Sequence, residues 1–177
     1  MVSIRDIEEI KGVEKKDSGD IYIGAGTVFS HITADPVIQE CIPVLGEAVD
    51  QVGGPQIRNI GTIGGNICNG AVSADSVPTV FSYNALLKIA NAKGGRTVPV
   101  REFYLGPGRV DLHPGEVLTH VIIPRAEYEG YHGHYIKYSM RNAMDIATLS
   151  CSVVSRIDSA KNILEDVRIT FGVAAPV

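Results

Sequence analysis

The chain has 177 residues, of which 45% are hydrophobic and 20% charged, and its formal net charge is -4. This length suffices for one domain with a core, or for one domain and part of another. A mildly acidic chain without a basic stripe gives no reason to expect nucleic acid as a partner.

The three cysteines, Cys41, Cys68 and Cys151, lie far apart and form no C-x-x-C pair. Such spacing argues against an iron–sulfur or zinc site in this chain, and it favours a reducing cytoplasm over a disulfide-bonded secreted fold. The charged N-terminus lacks an apolar core of signal-peptide length, and the apolar runs elsewhere are too short to span a bilayer. We therefore expect a cytoplasmic protein with no membrane partner.

The first predicted elements are mostly helices. Ser3 can cap a short helix over Ile4, Ile7 and Ile10, the strand IYIG follows, and TVFSHITAD is predicted to be helical. The clearest helix begins at Pro36, because apolar residues then recur at three and four positions as far as Val52. The first half of the chain is therefore expected to supply a buried, amphipathic helical layer.

The second half is dominated by predicted strands. A helix from Asp75 to Tyr83 precedes a strand over residues 86–90, the hairpin turn NAKGG and the partner strand RTVPV. Four further β segments are EVLTHVIIP, YHGHYIKYSM, TLSCSVVSRI and ILEDVRITFGV. Helices early and a β-meander late predict an α+β fold, with a mostly antiparallel sheet and flanking helices.

Between these halves, residues 53–76 read GGPQIRNIGTIGGNICNGAVSADS, with many glycines and no regular hydrophobic period. We predict a loop outside the core, because the segment lacks a hydrophobic period. Glycine lets backbone N–H groups approach a ligand closely, and the run from Thr62 to Asn66 is predicted to offer backbone N–H donors, a hydroxyl and an amide. Its end, at Ser73, Asp75 and Ser76, is a candidate helix N-cap, where phosphate or ribose can bind. The spacing matches neither the dinucleotide fingerprint nor the P-loop, so a ligand loop and a plain surface loop are both open on composition.

The words PQIRNIGTIGGNICNG and SADS resemble the FAD-binding subunits of the molybdenum hydroxylases, the xanthine dehydrogenase family. IYIGAGTVFSHI, EVLTHVIIP, HYIKYSMRNAMDIATLSCSV and ITFGVAAP are similar to family segments in the same order, so the resemblance covers nearly the whole chain. It implies the second lobe of the FAD-binding domain of the molybdopterin dehydrogenases. Residues 1–157 would form this central lobe, and residues 158–177 the final strand and the start of a C-terminal domain. GAGT at 24–27 matches a structural segment of the family.

The resemblance also implies which residues contact FAD: Thr62, Ile63, Gly64, Gly65, Asn66, Asp75, Leu118 and Lys137, with Ser73 as a weaker candidate. A cation at Lys137 near N1 and the C2 carbonyl of the flavin would stabilise the anionic reduced ring. Each candidate has a structural alternative. These are a tight turn for residues 62–66, an N-cap for Asp75, a core position for Leu118 and a solvated strand lysine for Lys137.

Five other side chains could take part in chemistry, but we interpret each of them as structural. Tyr104, Tyr135 and Tyr138 are assigned to the core, although each could stack on a flavin. His132 and His134 could ligate a metal from one face of a strand, because alternate residues share a side. No cysteine or carboxylate lies near them at metal-site spacing, so a surface turn is the better interpretation.

The function that the resemblance implies is electron transfer through FAD in a multisubunit molybdenum hydroxylase. Electrons would pass from a molybdenum centre through [2Fe-2S] clusters to FAD, and then to NAD or another acceptor. The molybdenum cofactor and the clusters are expected only in two partners, a molybdopterin subunit and an iron–sulfur subunit. The alternative, from a different class, is a structural or interaction lobe that binds no flavin by itself.

Overall fold

The computed structural model describes residues 3–142 and 144–175. Over that part of the chain the strands are β1 (Val13–Lys15), β2 (Ile21–Gly24), β3 (Leu86–Asn91), β4 (Gly94–Pro99), β5 (Tyr104–Gly106), β6 (Arg109–Val110), β7 (Val117–Ile123), β8 (Tyr131–Tyr138), β9 (Leu149–Asp158) and β10 (Ile163–Gly172). The α-helices are α1 (Phe29–Ala34), α2 (Pro36–Cys41), α3 (Pro43–Asp50), α4 (Pro55–Arg58), α5 (Ile63–Cys68), α6 (Ser76–Ser82), α7 (Val100–Phe103) and α8 (Arg125–Tyr128). Among these residues every helix falls short of the length and apolar character that a membrane span requires.

The strands form antiparallel sheets. A five-stranded sheet has the order β1-β2-β7-β3-β4, a three-stranded sheet the order β10-β9-β8, and β5 pairs with β6. Neighbouring strands in all of them run antiparallel. The predicted α+β class with mostly antiparallel sheets and flanking helices is therefore confirmed.

The long amphipathic helix predicted after Pro36 is wrong, because the segment forms two helices. Helix α2 ends at Cys41, and Ile42 leaves helical geometry with φ -140° and ψ 54° before Pro43 starts α3. Proline disfavours the helical conformation of the residue before it and donates no backbone hydrogen bond, so the chain turns here. The apolar period continued through this break because both helices bury one face in the same core.

The predicted helix over Ile4, Ile7 and Ile10 shrinks to a 3-10 turn at Glu8–Ile10. Ile4 and Ile7 are 44% and 40% exposed, so the segment has no buried face of helical length to stabilise it. Among these three isoleucines Ile10 alone joins the buried side chains.

The glycine-rich segment contributes to the core, contrary to the prediction that it is a loop outside it. It contains α4 and α5, and Ile63 and Ile67 are fully buried on one face of α5. Thr62 caps α5, because its hydroxyl oxygen accepts a hydrogen bond from the Gly65 amide at 3.1 Å. Two apolar residues four positions apart are enough to bury one face of a short helix. The glycines around them make this helical hydrophobic period hard to recognise in the sequence.

Helix α5 packs directly on the backbone after β2. The Gly64 amide donates to the Ala25 carbonyl at 2.8 Å, and the Ile63 amide donates to Thr27 at 3.1 Å. A Cβ at Gly64 would lie 2.5 Å from the Ala25 Cβ and 2.7 Å from its carbonyl oxygen. Glycine is needed at position 64 because the two backbones approach too closely for any side chain.

The core lies between the five-stranded sheet and the helices. Ile21, Ile23, Leu87 and Val121 are fully buried on the inner face of this sheet. The three-stranded sheet packs on α3 and α6, and its opposite face exposes apolar side chains such as Phe171, which is 56% exposed. The predicted domain boundary between residues 157 and 158 falls inside β9, which pairs with both β8 and β10.

The Arg168 side chain connects the three-stranded sheet to the rest of the chain through an ion pair and hydrogen bonds. Its guanidinium lies 4.4 Å from the centre of the Tyr131 ring, pairs with Glu127 at 2.7 Å and donates to the Ser82 carbonyl at 3.2 Å. The guanidinium also donates a hydrogen bond at 3.0 Å to Asp166, which lies on the same strand. Because the side chain is only 16% exposed, solvent screens these interactions weakly.

Replacing this guanidinium tests the junction. Arg168→Met should lower the free energy of unfolding by about 2 to 4 kcal/mol, because it leaves two carboxylates and two backbone carbonyls without their shared donor. Arg156→Met is the matched control, since Arg156 is 42% exposed and pairs with Glu165 on the surface. Urea denaturation followed by circular dichroism measures both, and equal losses in the two variants would contradict this role for Arg168.

The Gly64 contact gives a second test. Gly64→Ala should lower the free energy of unfolding by about 1 to 3 kcal/mol through overpacking against Ala25. Gly46→Ala is the matched control, because a Cβ in that buried helix interior would meet only Ile38 at an ordinary 3.5 Å. The control is expected to gain about 0.5 to 1 kcal/mol from helix propensity. A Gly64→Ala protein as stable as the control would refute the close approach.

Candidate functional site

A cavity of about 710 Å³, which we call the first cavity, opens where α5 meets the residues after β2 and the start of β7. Its wall includes Thr62, Gly64 and Gly65 from the glycine-rich segment, Leu118 from β7, and residues 25–28. Volumes of this size are typical of small-molecule and cofactor sites. Leu118 is 4% exposed, so it belongs both to the core and to the cavity wall.

The backbone amides of residues 63–66 already have protein acceptors. Those of residues 63 and 64 donate to the segment after β2, Gly65 donates to the Thr62 hydroxyl, and Asn66 donates to the Thr62 carbonyl at 3.0 Å. The prediction that this run offers free N–H donors therefore differs from what the structure shows. The Thr62 hydroxyl can still donate its own hydrogen, and the exposed Gly65 leaves the cavity wall open.

Ile63 and Asn66 have different environments. The Ile63 side chain is fully buried in the core, so any contact of this residue with a ligand has to involve its backbone. The Asn66 side-chain oxygen accepts a hydrogen bond from the Ser76 hydroxyl at 2.7 Å. This bond leaves the two N–H groups of the Asn66 amide as donors.

Asp75 does not cap α6, although it occupies the N-cap position. Its backbone has helical angles of φ -61° and ψ -34°, and its side chain makes no capping hydrogen bond. The carboxylate points instead to β8, where Oδ1 accepts from the Tyr135 hydroxyl at 2.8 Å and Oδ2 from the Lys137 ammonium at 2.9 Å. Ser73 lies in the turn before α6, half-buried.

The pair formed by Asp75 and Lys137 is buried. Their side chains are 7% and 6% exposed, so the interpretation of Lys137 as a solvated strand lysine is wrong. Burial raises the pKa of Asp75, and hydrogen bonds from Lys137 and Tyr135 act in the opposite direction. The Lys137 ammonium also donates to the Gln51 carbonyl at 2.9 Å, which fixes its position between two acceptors.

Lys137 lines a second cavity, of about 830 Å³, between the end of α3, α4 and the residues after β8. Tyr138 also lines it and is 64% exposed, so its assignment to the core is wrong. Its alternation along β8 places it on the face opposite Tyr135, which is 1% exposed. Tyr104 is half-buried and donates its hydroxyl to the Ile67 carbonyl at 3.1 Å.

The predicted site residues therefore gather at two neighbouring places. Thr62, Gly64, Gly65 and Leu118 line the first cavity, and Lys137 lines the second. The start of α6 connects them, because consecutive residues bind Asn66 on α5 and Lys137 on β8. Residues 25–28 were missed as part of the cavity wall, and the glycines of GAGT were the one signal that could have indicated them.

The two strand histidines are exposed, and a carboxylate from a distant helix approaches one of them. Glu47 Oε2 lies 2.8 Å from His134 Nδ1 and accepts the backbone N–H of Tyr135 at 3.0 Å. Sequence spacing could not show this contact, because 88 positions separate Glu47 and Tyr135. Across residues 3–142 and 144–175 no group of three potential metal ligands forms.

Comparisons with known proteins identify the family and relatives of this chain. Residues 1–126 match the family described as the FAD binding domain in molybdopterin dehydrogenase. The chain is 40% identical over 176 residues to the xanthine dehydrogenase FAD-binding subunit of Escherichia coli O157:H7, covering 99% of this chain and 60% of that protein. It is 33% identical over 176 residues to the carbon monoxide dehydrogenase medium chain of Hydrogenophaga pseudoflava, again covering 99% of this chain and 60% of the relative.

A solved structure shows the same fold. Carbon monoxide dehydrogenase from Hydrogenophaga pseudoflava, in a form that lacks the Mo-pyranopterin moiety of its cofactor, matches with a TM-score of 0.90 and 31% identity. The match covers 98% of this chain and 59% of that chain. This chain thus spans about three fifths of the length of these relatives. Because the family match extends over more than half of its residues, the chain belongs to the family of FAD-binding domains of the molybdopterin dehydrogenases.

Proposed function

We propose that this chain is the FAD-binding, electron-transferring part of a molybdenum hydroxylase, and hence a component of an oxidoreductase. The observation that carries the proposal is the family match over residues 1–126. When bound, FAD supplies redox chemistry that can connect [2Fe-2S] clusters to NAD or another acceptor. The protein residues are left with binding, orienting and tuning the cofactor.

The first cavity has groups that could bind the part of FAD that lies away from the flavin ring. Leu118 and Ala25 give it an apolar wall, and Thr62 lines it with a hydroxyl that would donate to a cofactor oxygen. Gly65 lets a ligand approach the backbone. Asn66 follows Gly65 on α5, and its two amide N–H groups would serve as further donors if they reach the cofactor. The residues present therefore fit FAD, with side chains rather than the helix amides as the main donors.

Lys137 fits the flavin end. Its ammonium is held by the Asp75 carboxylate and the Gln51 carbonyl, which leaves its third N–H for an acceptor in the second cavity. A positive charge at this place favours negative charge on a bound ring, so Lys137 would stabilise the reduced cofactor. The exposed ring of Tyr138 offers an apolar surface beside it.

The partners of this chain follow from the same proposal. The relatives are named as a subunit and a medium chain, so we propose that this chain acts with partner subunits. These would be an iron–sulfur subunit and a molybdopterin subunit, which would hold the other redox centres. We propose that the chain works in the reducing cytoplasm, because its cysteines are widely spaced in the sequence and form no C-x-x-C pair. A purely structural lobe is not favoured, because an inert interface gains nothing from a buried lysine beside an open cavity.

We also propose that a second structural unit begins at β8 rather than at residue 158. The family match ends at residue 126, and β9 pairs with both β8 and β10, while none of these three pairs with another described strand. Residues 131–172 are therefore one sheet that a boundary at 157 would divide. Its exposed apolar face sets it apart from the five-stranded sheet.

A titration with FAD tests the proposed function. The purified chain should quench flavin fluorescence saturably, and Asn66→Ala and Lys137→Ala should each weaken binding about tenfold, because each removes a hydrogen bond or a charge. Asn69→Ala and Lys88→Ala are matched controls. Asn69 is exposed, whereas Asn66 is half-buried and bonded to Ser76, and Lys88 is exposed and lines neither cavity.

Two results would contradict the proposal at different levels. A chain with native circular dichroism that leaves flavin fluorescence unchanged would overturn FAD binding by this chain. Saturable binding that neither site variant weakens would overturn the assignment of Asn66 and Lys137 while leaving FAD binding intact.

A further inference from the structure

We propose that Tyr135 is a positioning residue for Lys137: its buried hydroxyl fixes the Asp75 carboxylate, which holds the Lys137 ammonium at the second cavity. This inference rests on the proposed function and adds to it a residue that touches no cofactor. Tyr135 is fully enclosed by protein, with 1% of its surface exposed, so it acts only through the groups that it contacts.

The two carboxylate oxygens of Asp75 accept hydrogen bonds from two different side chains of β8. Tyr135 donates to Oδ1 at 2.8 Å and Lys137 donates to Oδ2 at 2.9 Å. Residues 135 and 137 are two apart on β8, so their side chains leave the same face of the strand. The carboxylate therefore bridges neighbouring side chains, and it cannot rotate without breaking one of the two bonds.

The tyrosine itself is held from two sides. Its backbone N–H donates to Glu47 Oε2 at 3.0 Å, which connects β8 to α3, and its ring is packed in the core cluster. The hydroxyl consequently has one fixed position. Burial and the neighbouring Asp75 carboxylate both raise the pKa of Tyr135, so the proton that makes the bond stays on the phenol.

Removing the hydroxyl should therefore displace Lys137. Without Tyr135 as a donor, Oδ1 of Asp75 is a buried acceptor with no partner, which is unfavourable. The carboxylate then turns toward another donor or takes up a proton, and in both cases the bond to the ammonium weakens. The Gln51 carbonyl alone would hold Lys137, and a neutral oxygen fixes an ammonium less firmly than a carboxylate does.

Tyr131 provides a matched control on the same strand. It lies four residues before Tyr135, so it shares the inner face of β8, and it is 6% exposed. Its hydroxyl also donates to an aspartate, Asp166, which belongs to the contacts around Arg168. Replacing either tyrosine by phenylalanine removes one buried hydroxyl and its bond to a carboxylate. Only the carboxylate bound by Tyr135 also binds Lys137.

The experiment compares Tyr135→Phe and Tyr131→Phe with the unaltered chain by three measurements. Acylation of Lys137 by an amine-reactive ester, measured by peptide mass spectrometry without FAD, should become several times faster in Tyr135→Phe only. FAD binding should weaken roughly tenfold in Tyr135→Phe and change little in Tyr131→Phe. The midpoint potential of bound FAD should fall in Tyr135→Phe, in the same direction as in Lys137→Ala.

The acylation measurement separates the two proposals. Equal acylation of Lys137 in Tyr135→Phe and Tyr131→Phe would overturn the positioning role, whether or not the chain binds FAD. Faster acylation in Tyr135→Phe together with no FAD binding by the unaltered chain would overturn the proposed function alone. Equal midpoint potentials in both tyrosine variants would overturn the link between Tyr135 and the flavin.

Discussion

The close approach of α5 to the backbone after β2 is the contact on which the first cavity depends. Gly64 and Ala25 touch with no room for a side chain, and hydrogen bonds from residues 63 and 64 join the two segments. This contact uses the helix amides that a phosphate could otherwise bind. It also turns Thr62 and Gly65 toward the cavity, so a glycine whose role is packing decides which neighbouring groups a ligand can reach.

The start of α6 connects the two cavities through side chains. Ser76 binds Asn66 of α5, and Asp75 binds Lys137 of β8, so adjacent residues where α6 begins set the positions of two candidate cofactor contacts. A buried carboxylate is unfavourable unless donors surround it, and here a phenol and an ammonium do so. The arrangement holds a positive charge at the second cavity without leaving it unpaired in the interior.

Local sequence signals predicted the elements whose cause is local. The hairpin of β3 and β4 follows from alternating apolar residues around NAKGG, and α6 follows from the apolar run after Asp75. Errors occurred at one local break that the apolar period hides and at one segment that packing buries. Pro43 divides an unbroken apolar period into two helices, and Ile63 and Ile67 bury a segment that its glycines made resemble a surface loop.

The sequence by itself determined which chemical groups this protein has and, through the resemblance of its glycine-rich segment, the family to which it belongs. The tertiary structure alone decided how those groups meet. Asp75 reaches Tyr135 and Lys137 across 60 and 62 positions, a contact that no short-range period encodes. Such contacts depend on how the sheets and helices pack, because only the global burial of apolar faces places α6 on the three-stranded sheet and so brings Asp75 to β8. The same packing pairs the helix amides of α5 with protein acceptors and leaves side chains to face a cofactor.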